Sequence, residues 1–151
     1  MSKANRLLFF LLTILFLGCS EDRIFEDFQS ISSENWGMND TLRFELGELD
    51  LNDKKSLIAV RFNESYSYSN CYVRVISYDS AGLILENKLV NVPLFNSKSG
   101  EPLGKGIGST YTKYDTLPFN LKPETRSITF LQYMRTDQLT GIEAVGLKIL
   151  K

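Results

Sequence analysis

Asn70-Cys71-Tyr72-Val73-Arg74-Val75-Ile76-Ser77-Tyr78, then Asp79-Ser80-Ala81-Gly82, then Leu83 to Pro93, is the stretch that decides the fold class. In its first part Cys71, Val73 and Val75 recur at every second position. Successive side chains of an extended chain point to opposite faces, so these three share one face of a strand. Asp-Ser-Ala-Gly is turn chemistry, with Asp able to bond the backbone ahead of it and Gly free to take a positive φ. The apolar-rich segment after it reads as the next strand.

The same period runs outward in both directions. Leu42, Phe44 and Leu46 share a face within Thr41 to Leu46, and Ile58, Val60 and Phe62 do so within Ser56 to Asn63. A strand is expected over Ser109 to Asn120, and Lys122-Pro123-Glu124 marks a turn. Ser127 to Arg135 aligns Ile128, Phe130 and Met134, with Gln132 interrupting that face. After a turn over Thr136 to Gly141, Val145, Leu147 and Ile149 form the last apolar stripe. About eight short strands, turn signals between them and no amphipathic helix predict an all-β domain, an antiparallel β-sandwich. That domain is expected over 41–151.

The N-terminus reads differently. Lys3 and Arg6 precede an 11-residue run, Leu7 to Leu17, that only Thr13 interrupts. A bilayer span needs about 20 residues, so this run fits a signal peptide over 1–18. Gly18-Cys19 follows, and Leu15-Phe16-Leu17-Gly18-Cys19 resembles the bacterial lipobox, with Phe16 and Leu17 departing from its usual residues. The resemblance implies cleavage before Cys19, diacylglycerol on its sulfur and an acylated new N-terminus, hence a membrane anchor. Ser20-Glu21-Asp22 resembles a surface-export signal of Bacteroidetes lipoproteins and reads equally as an acidic, solvated tether. The outer membrane is expected, with either face open. Residues 19–40 read as a lipidated tether and docking segment, with Ile24, Phe25, Phe28 and Trp36 as docking points.

Composition limits the chemistry. The chain has 151 residues, enough for one domain, and no histidine. Histidine-based triads, histidine zinc sites and the usual neutral-pH proton shuttle are therefore excluded. Without Lys3 and Arg6 the 17 basic side chains become 15 against 18 acidic ones, with no basic cluster, which argues against nucleic acid. With Cys19 acylated, Cys71 has no partner in the chain and reads as a small buried hydrophobe.

Gly100-Glu101-Pro102-Leu103-Gly104-Lys105-Gly106-Ile107-Gly108 invites a phosphate-loop reading. The spacing is one residue short, Gly106 stands where a hydroxyl is needed, and no helix follows. The densest acidic group, Glu45, Glu48, Asp50 and Asp53, lacks a calcium-loop pattern and adjoins Lys54 and Lys55. Neither a cofactor nor a metal is expected. Asp40-Thr41-Leu42, Asp79-Ser80-Ala81 and Asp115-Thr116-Leu117 resemble the Asp-[Ser/Thr]-apolar acceptor of Bacteroidetes O-glycosylation, on Thr41, Ser80 and Thr116; the same pairs are also plain turn residues.

Four stretches together resemble the gliding-motility lipoprotein family of Bacteroidetes, the GldH family. They are Arg23-Ile24-Phe25-Glu26-Asp27-Phe28-Gln29-Ser30 with Trp36, then Tyr66-Ser67-Tyr68-Ser69-Asn70, then Leu103 to Ser109. The fourth is Gln132-Tyr133-Met134-Arg135 with Leu139 to Ile142 and Val145 to Ile149. The resemblance implies a role in gliding motility and the associated type IX secretion machinery; with no catalytic constellation in the sequence, a non-enzymatic accessory or scaffold with envelope proteins as partners is expected. It supplies no catalytic residues. Tyr66, Tyr68, Asn70, Gly104, Gly106 and Gly108 form the expected contact surface. The alternative is a glycan-binding surface lipoprotein, suggested by the seven tyrosines and by Ser20-Glu21-Asp22. A carboxylate-based hydrolase would need two carboxylates facing one cleft.

Overall fold

A computed structural model of the chain describes residues 22–151. The expected signal peptide, the Cys19 expected to carry the lipid anchor, and Ser20-Glu21 lie outside the described residues. The fold is all-β and its sheets are antiparallel. Its strands are β1 (Arg23–Ser30), β2 (Asn35–Gly37), β3 (Leu42–Glu45), β4 (Ser56–Asn63), β5 (Asn70–Tyr78), β6 (Ile84–Pro93), β7 (Lys105–Ile107), β8 (Thr110–Thr116), β9 (Ser127–Gln132), β10 (Gln138–Thr140) and β11 (Ile142–Leu150). One sheet has the order β1-β11-β4-β8-β7, the other β3-β9-β5-β6, and β10 pairs with β2 in a small ribbon.

The alternating residues meet between the sheets. Ile58, Val60 and Phe62 of β4 and Val145, Leu147 and Ile149 of β11 are wholly buried, as are Cys71, Val73 and Val75 of β5 and Ile128 and Phe130 of β9. Each large side chain taken fully out of water contributes roughly 1.5–3 kcal/mol, and together they make one core. The Phe44 and Phe130 rings pack at 5.2 Å across β3 and β9.

Four strands were not legible in the period. The predicted tether reaches Asp40, but the structure folds Arg23–Ser30 as an edge strand and buries Trp36 completely. Every residue of β1 is half-buried or exposed, with no alternation along the strand, so its composition is mixed and shows little period. Its Gln29 side chain donates to the Arg43 carbonyl on β3, tying together the edges of the two sheets. The strand expected to reach Asn120 stops at Thr116, ahead of Pro118, which has no amide hydrogen to give.

The registers define two ends of the sandwich. At one end Arg23 pairs with Leu150, Ile149 with Ser56, and the Lys151 amide donates to the Asp22 carbonyl. At the other end β4 finishes at Asn63, and residues 64–69 lead directly into Asn70. Tyr72 and Gln132 therefore lie near the second end, opposite Asp22.

Candidate contact site

Residues 64–69 and 94–103 fold over the end opposite Asp22. The second segment is shaped by Asn96, whose Oδ1 accepts the amides of Lys98 at 2.9 Å and Ser99 at 3.1 Å. The Leu103 amide then returns to the Leu94 carbonyl at 2.8 Å. This turn carries the chain from β6 in one sheet to β7 in the other. Between the two segments lies an open groove of about 510 Å³, walled by Tyr66, Tyr68, Phe95, Asn96, Gly100 and Tyr111 among others. Phe62 supports its floor, with ring contacts to Phe95 at 5.1 Å and Tyr111 at 5.8 Å.

The expected contact residues divide. Tyr66 is only 5% exposed and belongs to the core. Its hydroxyl donates to the Asn70 carbonyl at 2.7 Å, which is how a buried phenol satisfies its polar tip. Burial raises the Tyr66 phenol above its ordinary range, with neighbouring Cys71 adding to the effect. Tyr68 stacks edge-on against Tyr66 at 5.7 Å and remains 44% exposed on the groove wall. The Asn70 amide donates to Asn91 Oδ1 at 2.6 Å, which braces β5 against β6.

Gly104, Gly106 and Gly108 belong to the β7–β8 hairpin. Gly106 pairs with Tyr111, so the hairpin flanks the groove. A Cβ on Gly106 would lie 1.8 Å from the Thr110 carbonyl oxygen, so only glycine allows the two strands to close there. Gly108 turns the chain at φ 67. The residue between them, Ile107, is 94% exposed at the tip. Its exposure could not be read from the sequence, because an isoleucine among glycines gives no face.

The hydroxyls of interest are all on the surface: Thr41, Ser80 and Thr116 are exposed. Two of their aspartates also serve turns, while Asp115 lies within β8 and pairs with Lys113 at 3.8 Å. Asp40 accepts the Gly37 amide at 2.9 Å, and Asp79 accepts those of Ala81 and Leu83, both at 2.9 Å.

Several carboxylates elsewhere are engaged locally. Asp50 accepts the Asn52 backbone amide at 3.1 Å and its side-chain amide at 2.7 Å, and these bonds hold its carboxyl below the usual range. Glu45 pairs with Arg43. Glu34 and Glu143 converge on the Asn63 amide, at 2.8 and 3.1 Å, and Thr110 also donates to Glu143 at 2.9 Å. Neither glutamate lines the Tyr68 groove. Burial pushes the Cys71 thiol up to about 12, so at neutral pH it carries its proton and is a poor nucleophile.

Comparison with known proteins gives two findings. A family model described as GldH lipoprotein matches residues 23–149. The chain is also 27% identical, over 156 aligned residues, to a gliding motility lipoprotein GldH homolog of Christiangramia forsetii. That alignment covers 95% of this chain and 93% of the relative.

Proposed function

The chain belongs to the GldH lipoprotein family, and from that membership we propose that it serves gliding motility as a lipid-anchored protein of the outer membrane. In this reading it is a non-enzymatic accessory or scaffold of the gliding and type IX secretion machinery. The observation that supports it is the position of the Tyr68 groove and the Ile107 tip at the end of the sandwich opposite Asp22. Cys19 precedes Asp22 by three residues, and three residues reach at most roughly 10 Å. An acyl anchor on Cys19 then holds one end of the sandwich against the bilayer and turns the groove and tip away from it, toward protein partners. Two or more acyl chains anchor stably, and confinement to the membrane raises the effective concentration, so a modest interface suffices.

The test uses the full-length protein in its native host. Cys19→Ala should abolish acyl labelling and outer-membrane recovery; an unlabelled wild-type protein would reject the anchor. Tyr68→Ala combined with Ile107→Ser should impair spreading on agar or export of type IX cargo as deletion does, at normal protein level. Normal spreading and export by that double variant would reject the contact reading.

A second reading is glycan binding, favoured by the exposed Tyr68 ring beside Ser67, Ser69 and Asn96. Calorimetric titration with purified envelope polysaccharide decides it. Heat that disappears in Tyr68→Ala supports it, and no heat rejects it.

A further inference from the structure

The outer face of the four-stranded sheet carries a surface of a different kind. Leu131, Arg74 and Leu89 form one row across β9, β5 and β6. Next to that row the Tyr133 amide donates to the Tyr72 carbonyl at 2.8 Å, bringing the two tyrosines together. Leu89 is 51% exposed, Tyr133 46% and Met38 45%. Two adjoining open grooves of about 450 and 460 Å³ cross this face, and Tyr133 and Arg135 line both.

Arg135 is held in an unusual way. Its φ is 58, in the left-handed region that residues other than glycine adopt at a cost. The turn that imposes this is organised from inside by Gln132, which is 1% exposed. The Gln132 Nε2 donates to the Thr136 carbonyl at 2.7 Å, and its Oε1 accepts the Met134 amide at 2.8 Å. A buried amide thus grips the chain on both sides of Arg135. Among the described residues the Arg135 guanidinium has no ion-pair or hydrogen-bond partner. Arg74 lies over the Tyr133 ring at 4.6 Å and has no carboxylate either. Both arginines line the 450 Å³ groove, with Asp137 as its one acidic residue.

We propose that this face docks a protein partner through a carboxylate-bearing segment, the carboxylate seated on Arg74 and Arg135 and flanking apolar side chains resting on Tyr72, Tyr133 and Leu89. Tyrosine, arginine and methionine are the residues that anchor protein interfaces, and the guanidinium fork matches a carboxylate in two bonds. Charge selects the occupant. A second copy of this chain would set four arginines against two Asp137 carboxylates. A bilayer does not fit the anchor proposed on Cys19, because Tyr72, Tyr133 and Arg135 lie toward the end of the sheets opposite Asp22. The proposal stands apart from the Tyr68 groove, and each can fail alone.

A photoreactive amino acid at Leu89 of the full-length lipoprotein, in its native envelope, tests it. The expected product is a crosslink to another protein at a peptide containing Asp or Glu. Arg135→Glu should lower the yield about tenfold or more, as expected for reversing one partner of a charge pair. Changing the crosslinked acid to lysine in that background should restore it. Arg135→Gly separates contact from folding: glycine keeps the left-handed turn, so Tm should hold or rise while the yield falls. No crosslink, crosslinks only to lipid or to a second copy, a peptide without carboxylates, or a yield indifferent to both Arg135 changes would each overturn the proposal.

Discussion

Phe28 on β1 lies across Gly146, its paired residue on β11, so closely that a Cβ at Gly146 would come within 2.8 Å of the ring. The row continues through Ala59 on β4 to Tyr114 on β8. Two small residues in the middle let the outer aromatics meet over them, at 6.3 Å and nearly perpendicular. Arg61 lies over the Phe28 ring at 5.2 Å, Lys148 over the Tyr114 ring at 5.6 Å, and the Tyr114 hydroxyl donates to Glu26 at 2.7 Å. This cluster covers the outer face of the sheet and holds the N-terminal strand on it.

Gly146→Ala should therefore destabilise the domain by about 1–3 kcal/mol, the usual cost of overpacking. Phe28→Ala should make the glycine change cheaper without removing its whole cost, since the Asp27 carbonyl oxygen also lies 2.9 Å from the Cβ position. A double-mutant cycle in urea measures the coupling. Additive effects would show that the ring does not rest on the glycine.

Gln132→Leu should lose roughly 1–3 kcal/mol, because it leaves the Thr136 carbonyl and the Met134 amide without their buried partner. Hydrogen exchange should quicken locally at Met134. Unchanged stability would mean that leucine packing compensates fully.

Stability should fall at alkaline pH. The folded Cys71 thiol keeps its proton to about 12, against 9.0 for an unperturbed thiol. Between these values the unfolded chain has released a proton that the folded chain retains, so rising pH favours unfolding. The contribution is fully present below about pH 9 and is lost as pH rises toward 12. Tyr66, raised in the same direction from 10.0, adds to the slope. Cys71→Ala should flatten the fall in Tm across this window, and an equally steep fall in that variant would contradict the assignment.

Glycosylation has a direct readout. The exposed Thr41, Ser80 and Thr116 should carry mass beyond lipid and polypeptide when the protein is made in its native host, and alanine at all three should remove it. An intact mass equal to lipid plus polypeptide would reject modification at these positions.

What the sequence determined by itself is the sandwich and most of its core. Ile58, Val60 and Phe62, or Val145, Leu147 and Ile149, repeat at the period of a strand with one buried face, and that pattern is local. The family was also legible, since it rests on residues in order along the chain. The tertiary structure decided what depends on neighbours distant in sequence. The 19–40 segment contains β1 because its partner is β11, more than a hundred residues on. Tyr66 is core while Tyr68 is surface, because the loop folds back so that the Tyr66 hydroxyl reaches the Asn70 carbonyl. Gln132, a break in the apolar face when read along the chain, is the buried amide that shapes the Arg135 turn. A side chain's period tells which face it occupies; what covers that face, and whether a polar group there finds its bonds, is set only when the sheets pack.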